Sequence, residues 1–244
     1  MLTTVLFDLD GTLLPMDLDE FLNHYFGLLT KKLSAHGYDP SKVVDGMRAG
    51  LRAMIANDGS STNEDLFYPA FSEVTGRDVR SDFSIFQSFY ENEFQDVKNS
   101  CGFDPKAAEA VAAIKAKGLR VALATSPLSP AIATKQRVLW AGFQTEDFEI
   151  CTTYEDFHYS KPNPAYYQEV LDKLGVKAEE CLMVGNDVIE DLVAAEVGIK
   201  VFLMPRWLIN RKNQDISSYP QGDFDDLLRY IDSLFTCGNT PRSS

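Results

Sequence analysis

Two carboxylates, Asp8 and Asp10, stand two residues apart directly after a short apolar run, residues 3–7, that is rich in β-branched side chains. Such a run is typical of a buried parallel strand, and open α/β sheets place their chemistry at the carboxyl ends of the strands. Gly11 follows and lets the chain turn at once. The pattern favours carboxylates delivered to a cleft, where one of them can act as a nucleophile. Aspartates at strand ends also form ordinary turns, which is the alternative.

A second acidic group follows the apolar run 181–184. Asp187 and Asp191 lie four residues apart, and such carboxylates supply the hard oxygen ligands that complete a magnesium site. Asn186 offers a neutral oxygen or a contact to a coordinated water, so Asp187 is the predicted direct ligand. Asp191 either ligates the metal or orients a lysine or a water. Glu190 can be a solvated charge at the start of a helix.

Two further polar positions come between these acidic groups. Thr125, with Ser126 beside it, ends the predicted strand 121–124, where a hydroxyl can bind a ligand or simply cap a turn. Lys161 lies in a loop restricted by prolines, and its ammonium can neutralise negative charge as a point charge. A surface lysine is the alternative, since the prolines alone explain the local geometry.

The elements that must position these residues fall into two patterns. From about residue 17 to 99, apolar residues recur at helical spacing, which predicts four or five helices without strands. After residue 105, helical and strand patterns alternate, as in an α/β sheet. The predicted strands are 121–124, 148–150, 181–184 and 200–203, and the predicted helices are 105–117, 130–141, 165–174 and 189–197. The expected fold class is α/β, with a Rossmann-like parallel-sheet core of residues 1–15 and 103–244 and a separate all-helical insert, residues 16–102, after the first strand.

These segments, in this order, resemble the four motifs of the haloacid dehalogenase superfamily. The first motif is the run from Asp8 to Leu13, which reads DLDGTL. The resemblance implies that Asp8 attacks phosphorus to form an aspartyl-phosphate and that Asp10 is the general acid and base. It also implies a Mg²⁺ cofactor, held by Asp8, Asp187 and the backbone carbonyl of Asp10.

The resemblance assigns phosphate binding to Gly11, Thr12, Thr125 and Ser126, and charge neutralisation to Lys161. The fourth motif departs from the commonest pattern, because Asn186 stands where many members have an acid. Asn186 and Asp191 are therefore further candidates for the metal.

The function that the resemblance implies is a magnesium-dependent phosphatase acting on a small phosphate monoester. The helical insert is similar to the helical cap that closes over the site in this superfamily and excludes water. Candidate substrate contacts in this cap are polar residues, each of which is also explained by solvation. They are His24, Lys31, Lys32, Arg48 and Arg52.

Several alternatives share the fold. A phosphomutase uses the same four motifs, and a phosphonate hydrolase would need a cap lysine placed to form an imine. Dehalogenation of a 2-haloacid is disfavoured, since members with that activity lack the second aspartate. A catalytically silent binding protein is disfavoured by the intact acidic residues, Asp8 above all.

Composition limits the partners. The 244 residues carry a formal net charge of −13, which disfavours binding to nucleic acid and to anionic membranes. A small phosphorylated metabolite is the expected partner, and the sequence leaves monomer and homodimer open. No basic and apolar leader or membrane-spanning run is recognisable, so the predicted location is cytoplasmic.

The four cysteines show no metal-binding spacing. Cys101, Cys151, Cys181 and Cys237 are widely separated, without a CxxC pair or a nearby histidine, and are predicted to be free buried thiols. The Ser-rich C-terminal tail is predicted to be disordered.

Overall fold

A computed structural model describes residues 1–236, and its centre is a parallel sheet. The strand order is β2-β1-β3-β4, with every neighbouring pair parallel. The predicted parallel α/β core is confirmed. The strands are β1 (Thr4–Phe7), β2 (Arg120–Leu123), β3 (Cys181–Gly185) and β4 (Lys200–Leu203).

The sheet is buried on both faces, as parallel sheets with crossover helices require. Val5 and Phe7 belong to the apolar cluster on one face, whereas Leu6, between them, belongs to the cluster on the other face. This alternation follows from the two-residue period of a strand. Because β1 is parallel to β2 and β3, the chain emerges with Asp8 at the edge of the sheet where those strands also end.

The chain between β1 and β2 begins with a helical region, as predicted. Side chains cap the first three helices at their N-termini: Asp17, Asp39 and Thr62 accept a backbone N–H. No strand is assigned in the described residues 18–100. The elements are α1 (Leu18–Ala35), α2 (Pro40–Ile55), α3 (Asn63–Thr75), α4 (Phe83–Glu91) and a 3₁₀ helix (Glu93–Ser100).

The two chain crossings between the helical region and the sheet lie side by side. Met16 forms an isolated bridge with Cys101, and the N–H of Gly102 donates to the carbonyl of Pro15 at 2.6 Å. We propose that the cap is residues 16–102 and that the core is residues 1–15 with 103 onwards.

In the described residues after the crossing, four α-helices accompany the strands. Sequence patterns indicate the first three, but the last one was not predicted. Its apolar residues Phe224, Leu227 and Ile231 are buried, at the spacing of one helical face. The helices are α5 (Pro105–Ala116), α6 (Ala131–Trp140), α7 (Pro164–Leu174) and α8 (Phe224–Thr236).

Two predicted elements differ in the structure. Residues 148–150 are not a strand: Glu149 and Ile150 exchange hydrogen bonds with β2, but pairing ends in a single bridge at Cys151. The predicted helix 189–197 is a turn followed by a 3₁₀ helix, Leu192–Val197. The turn forms because Asp187 Oδ1 accepts the N–H groups of Ile189 and Glu190.

Three of the four cysteines lie in the described residues, and all three are free. Cys181 is buried, whereas Cys101 and Cys151 are partly exposed, so the prediction of buried thiols is wrong for these two. Cys237 and the Ser-rich tail lie outside the described residues. Among residues 1–236, no helix combines the length and the apolar character needed to cross a membrane.

Candidate active site

The carboxyl ends of β1, β2 and β3, three neighbouring parallel strands, bring the predicted motifs to one edge of the sheet. Asp8 follows β1, Thr125 follows β2 and Asn186 follows β3. These residues line a cavity of about 270 Å³ between the sheet edge and the cap. Predicted site residues on its wall are Asp8, Asp10, Thr125, Ser126, Asn186, Asp187 and Asp191.

Lys161 is the buried cation of this edge. Its side chain is 1 % exposed, and its Nζ donates to Asp8 Oδ1 at 2.8 Å and to Asp191 Oδ1 at 2.7 Å. Burial alone would lower the pKa of Lys161, but the Asp191 and Asp8 carboxylates outweigh it and hold that pKa well above its usual value. Lys161 is therefore a fixed positive charge rather than a surface lysine.

Asp8 is the carboxylate next to this ammonium. Burial raises the pKa of Asp8 to about 7, although Lys161 acts in the opposite direction. Asp8 Oδ2 has a weak contact only, from the Thr12 hydroxyl at 3.5 Å. One oxygen of Asp8 is thus held by Lys161, and the other is available to a ligand in the cavity.

Asp191 uses both of its oxygens inside the protein. Oδ1 accepts from Lys161, and Oδ2 accepts the N–H of Asp187 at 2.9 Å. A Cβ on Gly185 would lie 2.1 Å from Asp191 Oδ2, so the close approach requires glycine. Of the two roles left open for Asp191, the geometry favours orientation of the lysine.

Asn186 links three loops. Its Nδ2 donates to the carbonyl of Trp207 at 2.7 Å, and its Oδ1 accepts from the Thr12 hydroxyl at 3.0 Å. Gly11 has φ +84° and leaves room for this amide, since a Cβ there would lie 2.2 Å from Nδ2. With both ends of the amide engaged, the geometry favours a structural role for Asn186 over metal ligation.

Asp10 forms an ion pair that sequence reasoning missed. Its Oδ2 accepts from Arg137 Nη1, and Arg137 is only 4 % exposed. Arg137 Nη2 also contacts the hydroxyl of Thr134 at 3.3 Å. The sequence offered one signal for Arg137: it lies one helical turn after Thr134 and next to Val138, on the buried face of a predicted helix. Within the described chain, Asp10 Oδ1 is buried and has no hydrogen-bond partner.

Two buried side-chain hydroxyls fix the loop after β2. The carbonyl of Thr125 accepts the hydroxyl of Tyr166 at 2.9 Å and that of Thr152. Ser126 Oγ is buried without a partner in the described residues. The loop therefore presents an unused hydroxyl, next to Thr125, at the cavity.

The remaining acids of the cavity are Asp187 and Glu190. Burial raises the pKa of Asp187 and raises that of Glu190 to about 8. Glu190, for which the sequence leaves open a solvated charge at a helix start, lies in a turn on the cavity wall. In residues 1–236 the His, Cys, Asp and Glu side chains do not form a ready cluster of three metal ligands.

The cap side of the cavity is apolar. Six side chains, which we call the apolar wall, face the acids: Phe21, Leu22, Tyr25 and Phe26 of α1 and Met47 and Leu51 of α2. The predicted polar contacts lie elsewhere. Lys32 pairs with Glu93 at 2.8 Å and Arg48 with Asp45 at 3.5 Å, while Arg52 and Lys31 are exposed and His24 does not line the cavity.

The fold and the site define a hydrolase of the haloacid dehalogenase class. Residues 2–198 match the model of the haloacid dehalogenase-like hydrolase family, and the chain belongs to that family. The predicted family membership is confirmed.

The individual proteins that match this chain have low sequence identity to it. The chain is 26 % identical over 189 residues to the pyrophosphatase PpaX of Bacillus cereus, covering 76 % of this chain and 75 % of the relative. It is similar to a predicted phosphoglycolate phosphatase from Haemophilus somnus, with TM-score 0.57 and 18 % identity over 94 % of this chain and 98 % of the other. A 2-haloacid dehalogenase from Pseudomonas syringae gives TM-score 0.63 and 17 % identity over 96 % and 100 %. At such identities the solved structures support the fold alone.

Proposed function

We propose that this hydrolase is a magnesium-dependent phosphatase that cleaves a small phosphate monoester through an aspartyl-phosphate on Asp8. The observation that carries the proposal is the contact of Lys161 with Asp8 at 2.8 Å, at the end of β1. A buried ammonium beside a carboxylate lowers the repulsion between that anion and an anionic phosphoryl group. The other oxygen of Asp8 is open to the cavity.

The chemistry follows from the positions of Asp8 and Asp10. In the first step, Asp8 Oδ2 forms a bond to phosphorus, the ester P–O bond breaks, and Asp10 gives its proton to the leaving oxygen. In the second step, Asp10 takes a proton from water, whose oxygen attacks phosphorus and releases inorganic phosphate and Asp8. Asp10 Oδ1 suits the proton transfer, since it is the oxygen without a partner in the described residues. We assign the phosphoryl oxygens to Thr125, Ser126, Thr12 and Gly11.

Mg²⁺ fits this site by its donor chemistry. The cavity offers oxygen ligands, which Mg²⁺ prefers, and we assign it to Asp8, Asp187 and the backbone carbonyl of Asp10. Asp8 and Asp187 are buried enough for desolvation to raise both pKa values, so a cation beside these two carboxylates would offset the cost of burying their charges. When bound, Mg²⁺ supplies further charge neutralisation for the phosphoryl group.

A cytoplasmic location stays a prediction from the sequence.

Phosphate release tests the proposal. Wild-type protein should release phosphate from at least one member of a panel of phosphate esters and pyrophosphate, with Mg²⁺ and not with a chelator. Asp8→Asn should abolish this release and keep the fold, because an amide cannot form the aspartyl-phosphate. Asp45→Asn, an exposed change on α2, is the matched control and should keep full activity. Retained turnover in Asp8→Asn would remove Asp8 as the nucleophile.

A further inference from the structure

The cavity has two opposite walls of different character. Five carboxylates occupy the core side: Asp8, Asp10, Asp187, Glu190 and Asp191. The apolar wall of α1 and α2 occupies the cap side. The leaving group of a substrate would lie there when its phosphorus lies against Asp8. Apolar lining of this kind stabilises apolar ligand surface, in proportion to the area removed from water.

The apolar wall offers no hydrogen bond to a polyol. Its single polar side-chain atom is the hydroxyl of Tyr25, and this hydroxyl is already bonded to the hydroxyl of Tyr90 at 2.7 Å. Sugar hydroxyls placed against this wall would lose water without gaining partners, which is unfavourable.

The cavity is equally unsuited to a second anionic group. Among its described lining residues, Arg137 is the one cation, and it is already paired with Asp10. A carboxylate or a second phosphate on the substrate would lie near the acids without an unpaired cation. This argues against phosphoglycolate and pyrophosphate as the preferred substrates of this chain.

A second cavity continues from the first one. It has a volume of about 370 Å³ and shares Tyr25, Met47 and Leu128 with the first. Its own wall is mainly aromatic and includes the rings of Phe67 and Phe86, with Glu64, Gln87 and Glu155 as further lining residues. Apolar surface therefore continues past Met47.

We propose that the substrate of this site is the phosphate monoester of an uncharged apolar alcohol or phenol, whose apolar group lies against the apolar wall and reaches past Met47. The proposal rests on the phosphatase function proposed above. Hydrolysis would consume one water and yield the apolar alcohol and inorganic phosphate, with the P–O ester bond broken and one water oxygen added to phosphorus.

Hexyl phosphate and glycerol 3-phosphate test this directly, because both are esters of primary alcohols and differ in the polarity of the leaving group. With Mg²⁺, kcat/KM for hexyl phosphate should exceed that for glycerol 3-phosphate, 2-phosphoglycolate and pyrophosphate by at least ~100-fold, in line with burial of several methylene groups. Octyl phosphate should be at least as good a substrate as butyl phosphate.

A charge placed in the apolar wall should reverse this preference. Leu51→Lys should lower kcat/KM for hexyl phosphate by at least ~10-fold and raise it for 2-phosphoglycolate, since an unpaired cation then faces the leaving group. Ser41→Lys adds the same charge at an exposed position of α2 and should change neither value. If Leu51→Lys does not fold, the comparison of kcat/KM between substrates of the wild-type protein still tests the proposal.

The outcomes separate the two proposals. A wild-type preference for glycerol 3-phosphate, 2-phosphoglycolate or pyrophosphate, lost in Asp8→Asn, would overturn the apolar substrate and leave the phosphatase standing. Absence of Mg²⁺-dependent release from every ester, or release that survives Asp8→Asn, would overturn the phosphatase and with it the substrate.

Discussion

The two side-chain oxygens of Asp10 lie in different environments. Oδ2 is held by Arg137, whereas Oδ1 is buried and unpartnered in the described chain. A carboxyl fixed through one oxygen keeps the other in a constant direction, which a proton donor in a cleft requires. Arg137 is therefore a positioning residue, which acts through Asp10.

Replacement of Arg137 should reveal that role through the leaving group. Arg137→Met should lower kcat by about 10–100-fold on an alkyl phosphate, which needs a proton on its leaving oxygen, with a small change in KM. On p-nitrophenyl phosphate, whose leaving group needs no proton, the loss should be much smaller. Steady-state kinetics on both substrates, with Arg137→Lys as the conservative control, makes the measurement. Equal losses on the two substrates would indicate a purely structural role.

The sequence predicts part of this site. Strand-end positions and motif order are enough to group Asp8, Lys161 and Asp191, and the structure brings them into contact. The catalytic roles of these residues stay predictions. Arg137 could not be found in the same way, because it belongs to none of the four motifs and its contact with Asp10 depends on how α6 packs. The structural use of Asn186 likewise depends on Trp207, which belongs to another loop.

At the scale of elements, α2 carries Met47 and Leu51 of the apolar wall and packs on α3. Gly46 and Gly50 of α2 lie against the rings of Phe71 and Phe67 of α3. A Cβ on Gly50 would lie 2.3 Å from Cδ2 of Phe67, so α3 approaches α2 at a distance that only glycine allows. Leu51 follows directly, so this contact also sets the position of the apolar wall.

A pair of alanine substitutions measures that packing. A Cβ added to Gly27 of α1 would meet no neighbouring atom within 4 Å, so Gly27→Ala should stabilise the fold by about 0.5–1 kcal/mol through helix propensity. Gly50→Ala makes the same chemical change but should destabilise by about 1–3 kcal/mol, because Phe67 must move. Urea unfolding gives both values. Equal stabilisation by the two changes would mean that α2 and α3 are not in close contact.

Long helices could be predicted from their apolar periodicity, whereas short elements such as turns and 3₁₀ helices could not. Helices α1 to α3 follow from apolar spacing and from breaks at glycine and proline. The turn at residues 188–191 replaces a predicted helical start because a side chain, Asp187, satisfies the backbone there. Helix α8 was missed although Phe224, Leu227 and Ile231 have helical spacing.

Across the whole molecule, the cap is fastened to the core beside the cavity. The N–H groups of Asn63 and Glu64, at the start of α3, donate to the carbonyls of Phe157 and Tyr154 at 2.9 Å. Asn63 Nδ2 also donates to the carbonyl of Pro127 at 3.1 Å. These contacts lie far in sequence from the crossing at residues 15–17, so the helical region is held to the core at two places.

The acids of this enclosed cavity couple its charge to the stability of the fold. Burial raises the pKa of Glu190 to about 8, while a glutamate in the unfolded chain titrates near its ordinary value of 4.5. Between these pH values the folded protein holds a proton that the unfolded chain releases. The free energy of unfolding should therefore decrease as pH rises through this window.

Glu190→Gln should remove this contribution, because glutamine resembles the protonated side chain at every pH. Near pH 4 the variant and the wild type should have similar stability, and at pH 8 the variant should be more stable by roughly 4 kcal/mol. Urea unfolding at several pH values, with a chelator present to exclude Mg²⁺, makes the comparison. Glu73→Gln, an exposed change on α3, should leave the pH dependence unaltered. If Glu190→Gln follows the wild-type curve instead, Glu190 is charged in the folded protein at neutral pH, and the negative charge of the cavity must be compensated by Arg137 on its wall and by the buried Lys161 next to Asp8.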